Sequence, residues 1–288
     1  PGRGEMHEPK ATGEPLLSVR NVRKRYGAFE ALKGVSFDLM AGETIAVVGE
    51  SGSGKSTLAR ILLRLDEPDD GSAVWKGRDL FRLSPAELYA LRRDLQMVFQ
   101  DPTQSLNPRM TVFQLISEAW VIHPDIVPRP KWRERVGELL QQVGLSPDHM
   151  RRYPHQFSGG QRQRIAIARA LALEPKLIIC DEAVSALDVS VQAQVIALLD
   201  KLRREMGLSF IFIAHDLPVV RDFADHVMVM QRGEVVEFGT VRQIFEAPGE
   251  AYTRALLSAS LDPDPDREAG HNAASPVQAT GNSSGVLS

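Results

Sequence analysis

The sequence predicts an α/β fold with a mainly parallel sheet and helices on both of its faces. Three observations carry that expectation. Short β-rich runs alternate with helical patterns, the order that builds a parallel sheet through crossover helices. Two runs, Leu177–Cys180 and Ser209–Ala214, have the near-continuous apolar character of strands buried on both faces. Composition is that of an ordinary folded chain, with 43% hydrophobic and 25% charged residues.

Taken in order, Leu16–Val22, Val35–Met40 and Thr44–Val48 read as strands, Ser56–Leu65 as a helix and Leu95–Phe99 as a further strand. Ser84-Pro85-Ala86-Glu87 supplies an N-cap, a proline at the first helical position and a glutamate at the third, so a helix starts there. From Thr111 to Val143 the pattern is helical, interrupted by Pro124, Pro128 and Pro130, and reads as an all-helical insert. A helix is expected over Ile165–Leu173. A longer one is expected over Val189–Met206, with Val191, Val195, Leu198, Leu199 and Leu202 on one face. Val227–Met230 and Gly233–Glu237 read as a late hairpin, and Cys180 as a core residue.

Composition also excludes function classes. Lys and Arg number 34 against 37 Asp and Glu, a net charge of −3, which argues against a protein that coats nucleic acid. The single cysteine, Cys180, excludes an internal disulfide framework and a cysteine-held iron–sulfur cluster. The apolar runs are about half of the ~20 residues a spanning helix needs, so any membrane role is expected to be peripheral. Pro1–Glu14 has no apolar stretch of the secretory-signal kind. Residues 1–15 and 262–288 are expected to be disordered tails, and Asn282-Ser283-Ser284 within the second a chance glycosylation sequon.

Three local motifs point to chemistry. Gly49-Glu50-Ser51-Gly52-Ser53-Gly54-Lys55-Ser56, followed by Thr57, fits G-x-x-x-x-G-K-[ST] between an apolar strand and a helix. Its glycines allow successive backbone N–H groups to face one concavity, and the helix start adds partial positive charge. Lys55 is expected to reach the β- and γ-phosphates of a nucleotide, and the Ser56 hydroxyl to bind Mg²⁺. Leu177-Ile178-Ile179-Cys180-Asp181-Glu182 is an apolar strand ending in two acids. Asp181 is placed to hold the Mg²⁺ shell and Glu182 to orient or deprotonate the attacking water. Phe157-Ser158-Gly159-Gly160-Gln161-Arg162-Gln163-Arg164 is a second anion-binding helix start, about twenty residues before the acid pair.

Together these segments resemble the ATP-binding-cassette (ABC) ATPases, with Phe157 where many members have Leu and Ala183 where a proline is common. The resemblance covers roughly Leu16 to Leu257. It implies an ABC-type P-loop ATPase with a mainly parallel core, an antiparallel β subdomain and an inserted helical subdomain. The implied ATPase domain is 16–261, with a catalytic core of 16–100 and 158–261 and a helical subdomain of about 101–157. It further implies ATP and Mg²⁺ as cofactors and a head-to-tail dimer. In that dimer Ser158, Gly159, Gly160 and Gln161 of one chain meet the γ-phosphate held by another. Tyr26 matches the aromatic that stacks on adenine. Gln100 matches the glutamine that touches Mg²⁺ and the attacking water and couples to the membrane subunit. Ser185-Ala186-Leu187-Asp188 matches the loop that crosses the dimer interface, bringing Asp188 to the nucleotide. His215 matches the switch histidine at the γ-phosphate.

Two stretches, Gln100–Thr111 and Cys180–Gln194, are similar to bacterial oligopeptide and dipeptide importer ATPases, as is the C-terminal run from Ile244 to Leu257. Glu250-Ala251 departs there from the usual His-Pro before Tyr252. That branch implies a second, different ATP-binding subunit, two transmembrane permease subunits, indirectly a solute-binding protein, and a place on the cytoplasmic face of the inner membrane. Nickel, opine or glutathione uptake stays open, because those ATPases look alike. A non-transport member is disfavoured: no long heptad insertion separates Gln100 from Ser158, and the chain carries one cassette.

Overall fold

The computed structural model describes residues 13–214 and 217–261, and their strands divide into two sheets. The chain runs β1 (Leu17–Tyr26), β2 (Phe29–Leu39), β3 (Thr44–Val48), α1 (Lys55–Leu62), β4 (Asp70–Trp75), β5 (Arg78–Asp79), α2 (Pro85–Asp94) and β6 (Leu95–Val98). The helical stretch follows, with α3 (Pro102–Ser105), α4 (Val112–Ile122), α5 (Trp132–Gln142) and α6 (Gly159–Leu171). The last part is β7 (Leu177–Asp181), α7 (Val189–Met206), β8 (Ser209–Ala214), α8 (Leu217–Arg221), β9 (His226–Gln231), β10 (Glu234–Thr240), α9 (Val241–Glu246) and α10 (Ala251–Leu261).

The larger sheet has the order β10-β9-β3-β8-β7-β6 and is parallel except for the β9–β10 hairpin. The smaller has the order β2-β1-β4-β5 and is antiparallel. Register brings the carboxyl ends of the parallel strands level: Val48 lies opposite Ala214 and Val229, and Asp181 opposite Ile213. Ligands collect along such an edge, and the segments after β3, β6 and β7 all leave from it.

The larger sheet is buried on both faces, and the two-residue period of its strands sorts the core. Ala46, Val48, Ile178, Cys180, Phe210, Phe212, Val227 and Val229 pack with the helices of the insert, α6 and α7. Ile45, Val47, Leu177, Ile179, Ile211, Ile213, Met228 and Met230 pack with α1 and the antiparallel sheet. Three layers result, with the parallel sheet in the middle. Trp120 on α4 is fully buried, and its indole N–H donates to the Ala172 carbonyl at 2.8 Å, tying α4 to the end of α6.

Capping explains where several helices begin. Ser84, Thr111, Ser158 and Thr240 each accept from the backbone N–H three residues on, and a Glu or Gln side chain there bonds back. Some elements depart from expectation. β1 continues through Arg23–Tyr26 and β2 begins at Phe29, because the pairing from Arg23↔Lys33 to Tyr26↔Phe29 outweighs the local charge. β4 was not foreseen; its Asp-Gly-Ser start carries no strand pattern, and it is held by register with β1. Residues 1–12, 215, 216 and 262–288 lie outside the described residues. The expected tails (apart from 13–15), the sequon and His215 fall there.

Candidate functional site

The phosphate loop links β3 to α1 and is pressed against its neighbours. A side-chain carbon on Gly49 would stand 2.1 Å from the Met230 carbonyl oxygen, and one on Gly54 only 2.6 Å from that of Ala31. Gly54 also caps α1 at φ +108°, a conformation costly for other residues. The loop closes with Ser53 N–H bonded to the Glu50 carbonyl at 3.2 Å, and the β9–β10 turn braces it through Gly233 N–H to Ser53 O at 3.0 Å.

Lys55 is 4% exposed. Its ammonium donates to the Gly49 carbonyl at 2.7 Å and the Glu50 carbonyl at 2.9 Å, with Ser53 Oγ at 3.5 Å. Burial lowers its pKa, opposed by the carboxylates of Glu182, Asp181 and Glu50. A cationic group is thus folded back over a concavity of backbone amides. Phe29, Ala31, Gly52, Lys55, Thr57 and Glu182 line the cleft there, with Ser51, Gly54 and Ser56.

Ser56 Oγ donates to Asp181 Oδ1 at 3.0 Å, joining the start of α1 to the end of β7. Among the described residues no group of three or more His, Cys, Asp or Glu could hold a metal on protein ligands alone. One hydroxyl beside one carboxylate at a phosphate loop fits the way Mg²⁺ is bound, since that ion keeps waters and phosphate oxygens as ligands. Glu182 has φ +51°, a left-handed conformation that a non-glycine residue holds only where its surroundings enforce it. Its N–H bonds the Ile213 carbonyl at 3.1 Å, and its own carbonyl accepts from Ser185 Oγ at 2.9 Å. Gln100, just past β6, donates from Nε2 to Ser185 Oγ at 3.1 Å. Gln100 is therefore wired to the acid turn through a serine hydroxyl. Asp181 and Gln100 share a second cleft with Phe99, Asp101 and Ser105.

Ser158 caps α6 in a box with Gln161: Gln161 N–H donates to Ser158 Oγ at 3.4 Å and Ser158 N–H to Gln161 Oε1 at 3.1 Å. Ser158, Gly159, Gly160 and Gln161 line neither cleft. They lie instead against the loop before α7. A side-chain carbon on Gly160 would meet Val191 Cγ1 at 2.4 Å, and one on Gly159 would meet Leu187 at 3.4 Å. Asp188 caps α7, accepting from Ser190 Oγ at 2.8 Å and Val191 N–H at 3.0 Å, and these bonds hold its carboxyl below the usual range. Phe157 is buried, edge-on to His149 at 5.3 Å, with the Arg152 guanidinium 4.8 Å from its ring centre.

Tyr26 is 45% exposed, and its hydroxyl donates to Asp66 at 2.8 Å. Partial desolvation, then the Asp66 carboxylate, push that hydroxyl's pKa up. The Lys24 ammonium lies 5.2 Å from the ring centre. The geometry thus gathers Lys55, Ser56, Asp181 and Glu182 in one place, sets Gln100 beside the acid turn, and leaves Tyr26 on the antiparallel sheet and Ser158–Gln161 by α7. Sequence reasoning missed Phe29, 61% exposed on the cleft wall, whose only signal is an aromatic at a hairpin turn. It also missed Tyr252 as a partner of the loop, whose Glu50 N–H donates to its hydroxyl oxygen at 3.2 Å. No local pattern announces a contact 202 residues long.

Such a loop on a parallel sheet, with an acid pair at the neighbouring strand end, defines a P-loop nucleotide-binding α/β protein. A family model described as ABC transporter matches residues 32–185, and the chain belongs to that family. It is an ATP-binding ATPase of the cassette type. The chain is 55% identical over 239 residues to the oligopeptide transport ATP-binding protein OppF of Escherichia coli (strain K12), covering 83% of this chain and 72% of that protein. Identity to the glutathione import ATP-binding protein GsiA of the same strain is 50% over 267 residues, covering 89% of this chain and 43% of GsiA. Among solved structures, cbiO1 of Clostridium perfringens, part of the ABC transporter complex cbiONQ, aligns with a TM-score of 0.74 at 30% identity, covering 82% and 92% of the two chains. A dimeric ATP-binding cassette, MJ0796, solved after hydrolysis with ADP and Pi, aligns with a TM-score of 0.69 at 32% identity, covering 78% and 99%.

Proposed function

We propose that this chain is the ATP-hydrolysing subunit of an oligopeptide or dipeptide importer. One observation carries the chemistry: Lys55, buried over the phosphate loop, with Asp181 bonded to Ser56 and Glu182 at the same strand end. The Gly49–Thr57 segment would hold the phosphates by backbone N–H groups, and Lys55 would neutralise the β- and γ-oxygens. Ser56, Asp181 and Gln100 would hold Mg²⁺, which when bound would neutralise phosphate charge. Glu182 accepts the proton of the attacking water, and Gln100 and His215 orient that water and the γ-phosphate. Tyr26 offers its ring to adenine.

Because Ser158, Gly159, Gly160 and Gln161 line neither cleft at the loop, they serve a nucleotide held by a second ATP-binding subunit, with Asp188 at the shared interface. We assign the catalytic core to 16–100 and 158–261 and the helical subdomain to about 101–157. Among the described residues no helix is long and apolar enough to cross a membrane, so two permease subunits would supply the channel. The chain would then act on the cytoplasmic face of the inner membrane, with a solute-binding protein delivering cargo. The similarity to OppF supports a peptide cargo, and the similarity to GsiA favours glutathione as the second reading.

The test is Glu182→Gln in the assembled transporter. ATP binding should persist while turnover falls by about 10²-fold or more, the scale of a lost general base. Hydrolysis at the parent rate would remove Glu182 from the mechanism.

A further inference from the structure

The C-terminal helix α10 docks against the phosphate loop. Tyr252, in its first turn, packs half-buried on the main core with Phe245 and Leu256. Two anchors hold α10 in place. The Glu237 carboxylate on β10 accepts Gly249 N–H at 2.7 Å and Glu250 N–H at 3.2 Å. Further along, Thr253 and Leu257 are buried, and the helix packs on α8.

The Tyr252 hydroxyl oxygen accepts the N–H of the peptide group between Gly49 and Glu50 at 3.2 Å. The carbonyl of that same peptide accepts the Lys55 ammonium at 2.7 Å. A trans peptide is planar, with its N–H and C=O pointing opposite ways, so one rigid plate is gripped from both sides. Turning the plate to release Tyr252 also turns the carbonyl away from Lys55. We propose that Tyr252 is a positioning residue for nucleotide binding: through the Gly49–Glu50 peptide it sets the anchor of Lys55, and it makes ATP affinity depend on the docking of α10. The proposal rests on the assignment of this loop to the phosphates.

Glu50 is exposed, so its N–H can turn to water when the hydroxyl is removed. Tyr252→Phe therefore frees the plate without leaving a buried orphan, and the cost falls on ordering the loop around ATP. The experiment is calorimetric titration of the full chain with Mg-ATP, beside thermal melting without nucleotide. Tyr252→Phe should raise Kd by about three- to tenfold, the scale of one neutral hydrogen bond, and leave the melting midpoint within about 2 °C. Glu237→Ala, which frees the start of α10, should raise Kd in the parent and add little in the Tyr252→Phe background. A Kd for Tyr252→Phe within about twofold of the parent overturns the proposal. So does a higher Kd accompanied by a large fall in melting midpoint, which marks a structural role. Lys55→Met is the control for the site itself: parent affinity in that variant would discard the loop assignment and the Tyr252 role with it, whereas weakened binding there beside parent affinity in Tyr252→Phe would overturn the Tyr252 role alone.

Discussion

Lys55→Met replaces a buried ammonium by an uncharged chain of similar length, and the geometry separates its effect on the fold from its effect on the ligand. Without nucleotide, two terms oppose. The variant loses the two short bonds to the Gly49 and Glu50 carbonyls, about 1.5–3 kcal/mol each for bonds from a charged donor. It also escapes the cost of keeping a charge at 4% exposure, on the order of several kcal/mol per ion. These nearly cancel, so the net change in stability should stay within about 2 kcal/mol. In a chain of this size that is a midpoint shift of roughly 4–8 °C at most. With ATP nothing cancels, because the phosphates lose their cationic partner inside a confined site, at about 2–5 kcal/mol. Affinity should fall by roughly 30- to several-thousand-fold. Calorimetric titration and nucleotide-free melting on the same preparation read the two quantities. An ATP affinity within about threefold of the parent would refute the reasoning, as would a nucleotide-free midpoint lower by more than about 15 °C.

Three further perturbations test the frame around the site. Gly160→Ala drives a new carbon to 2.4 Å from Val191 Cγ1 and should cost about 1–3 kcal/mol in chemical denaturation, with Val191→Ala restoring much of the loss; absence of rescue would place the strain elsewhere. Trp120→Phe removes the donor to the buried Ala172 carbonyl and should cost about 1–3 kcal/mol, so a denaturation midpoint equal to the parent's would count against that bond. His226 on β9 contacts the Glu43 carboxylate, which raises its pKa against the opposing effect of burial. Its contribution is therefore complete below the unfolded value of about 6.5 and is lost as pH rises through the higher folded value. The melting advantage of the parent over His226→Gln should shrink as pH rises above the unfolded value of about 6.5. An advantage that is flat or grows with pH contradicts the assigned sign.

What the sequence disclosed follows from the range of the forces involved. β3, β7 and β8 were legible because burial on both faces demands an apolar run, which needs no knowledge of partners. The capped start of α2 was equally plain, since Ser84, Pro85 and Glu87 carry out the capping themselves. β4 was not legible, because its Asp70-Gly71-Ser72 start carries no strand pattern and is held in the sheet by its register with β1. In the site, the phosphate loop and acid pair could be read because the chemistry fixes residue type and spacing within a few positions. The contacts among elements could not. Gln100 bonds Ser185 and Tyr252 receives the Glu50 amide across distances in sequence that leave no periodic trace. Roles that depend on those contacts become visible only when the fold is assembled.

The strand that carries the phosphate loop has late neighbours. β3 ends at Val48, yet the strands bonded to its two sides are β8 and β9, which end at Ala214 and Gln231. On a ribosome adding about 5–20 residues each second, the segment Thr44–Val48 waits on the order of ten to forty seconds before either companion exists. Throughout that interval a strand that ends fully buried and its loop emerge without their sheet, and the nascent chain has no means of holding ATP in the finished geometry. The antiparallel sheet matures much sooner, since β1, β2 and β4 are complete by Trp75. Newly made chains therefore pass through a long stage with one sheet formed and the other missing its centre. Protection by chaperones, or by the partner subunits themselves, has its greatest value in that stage.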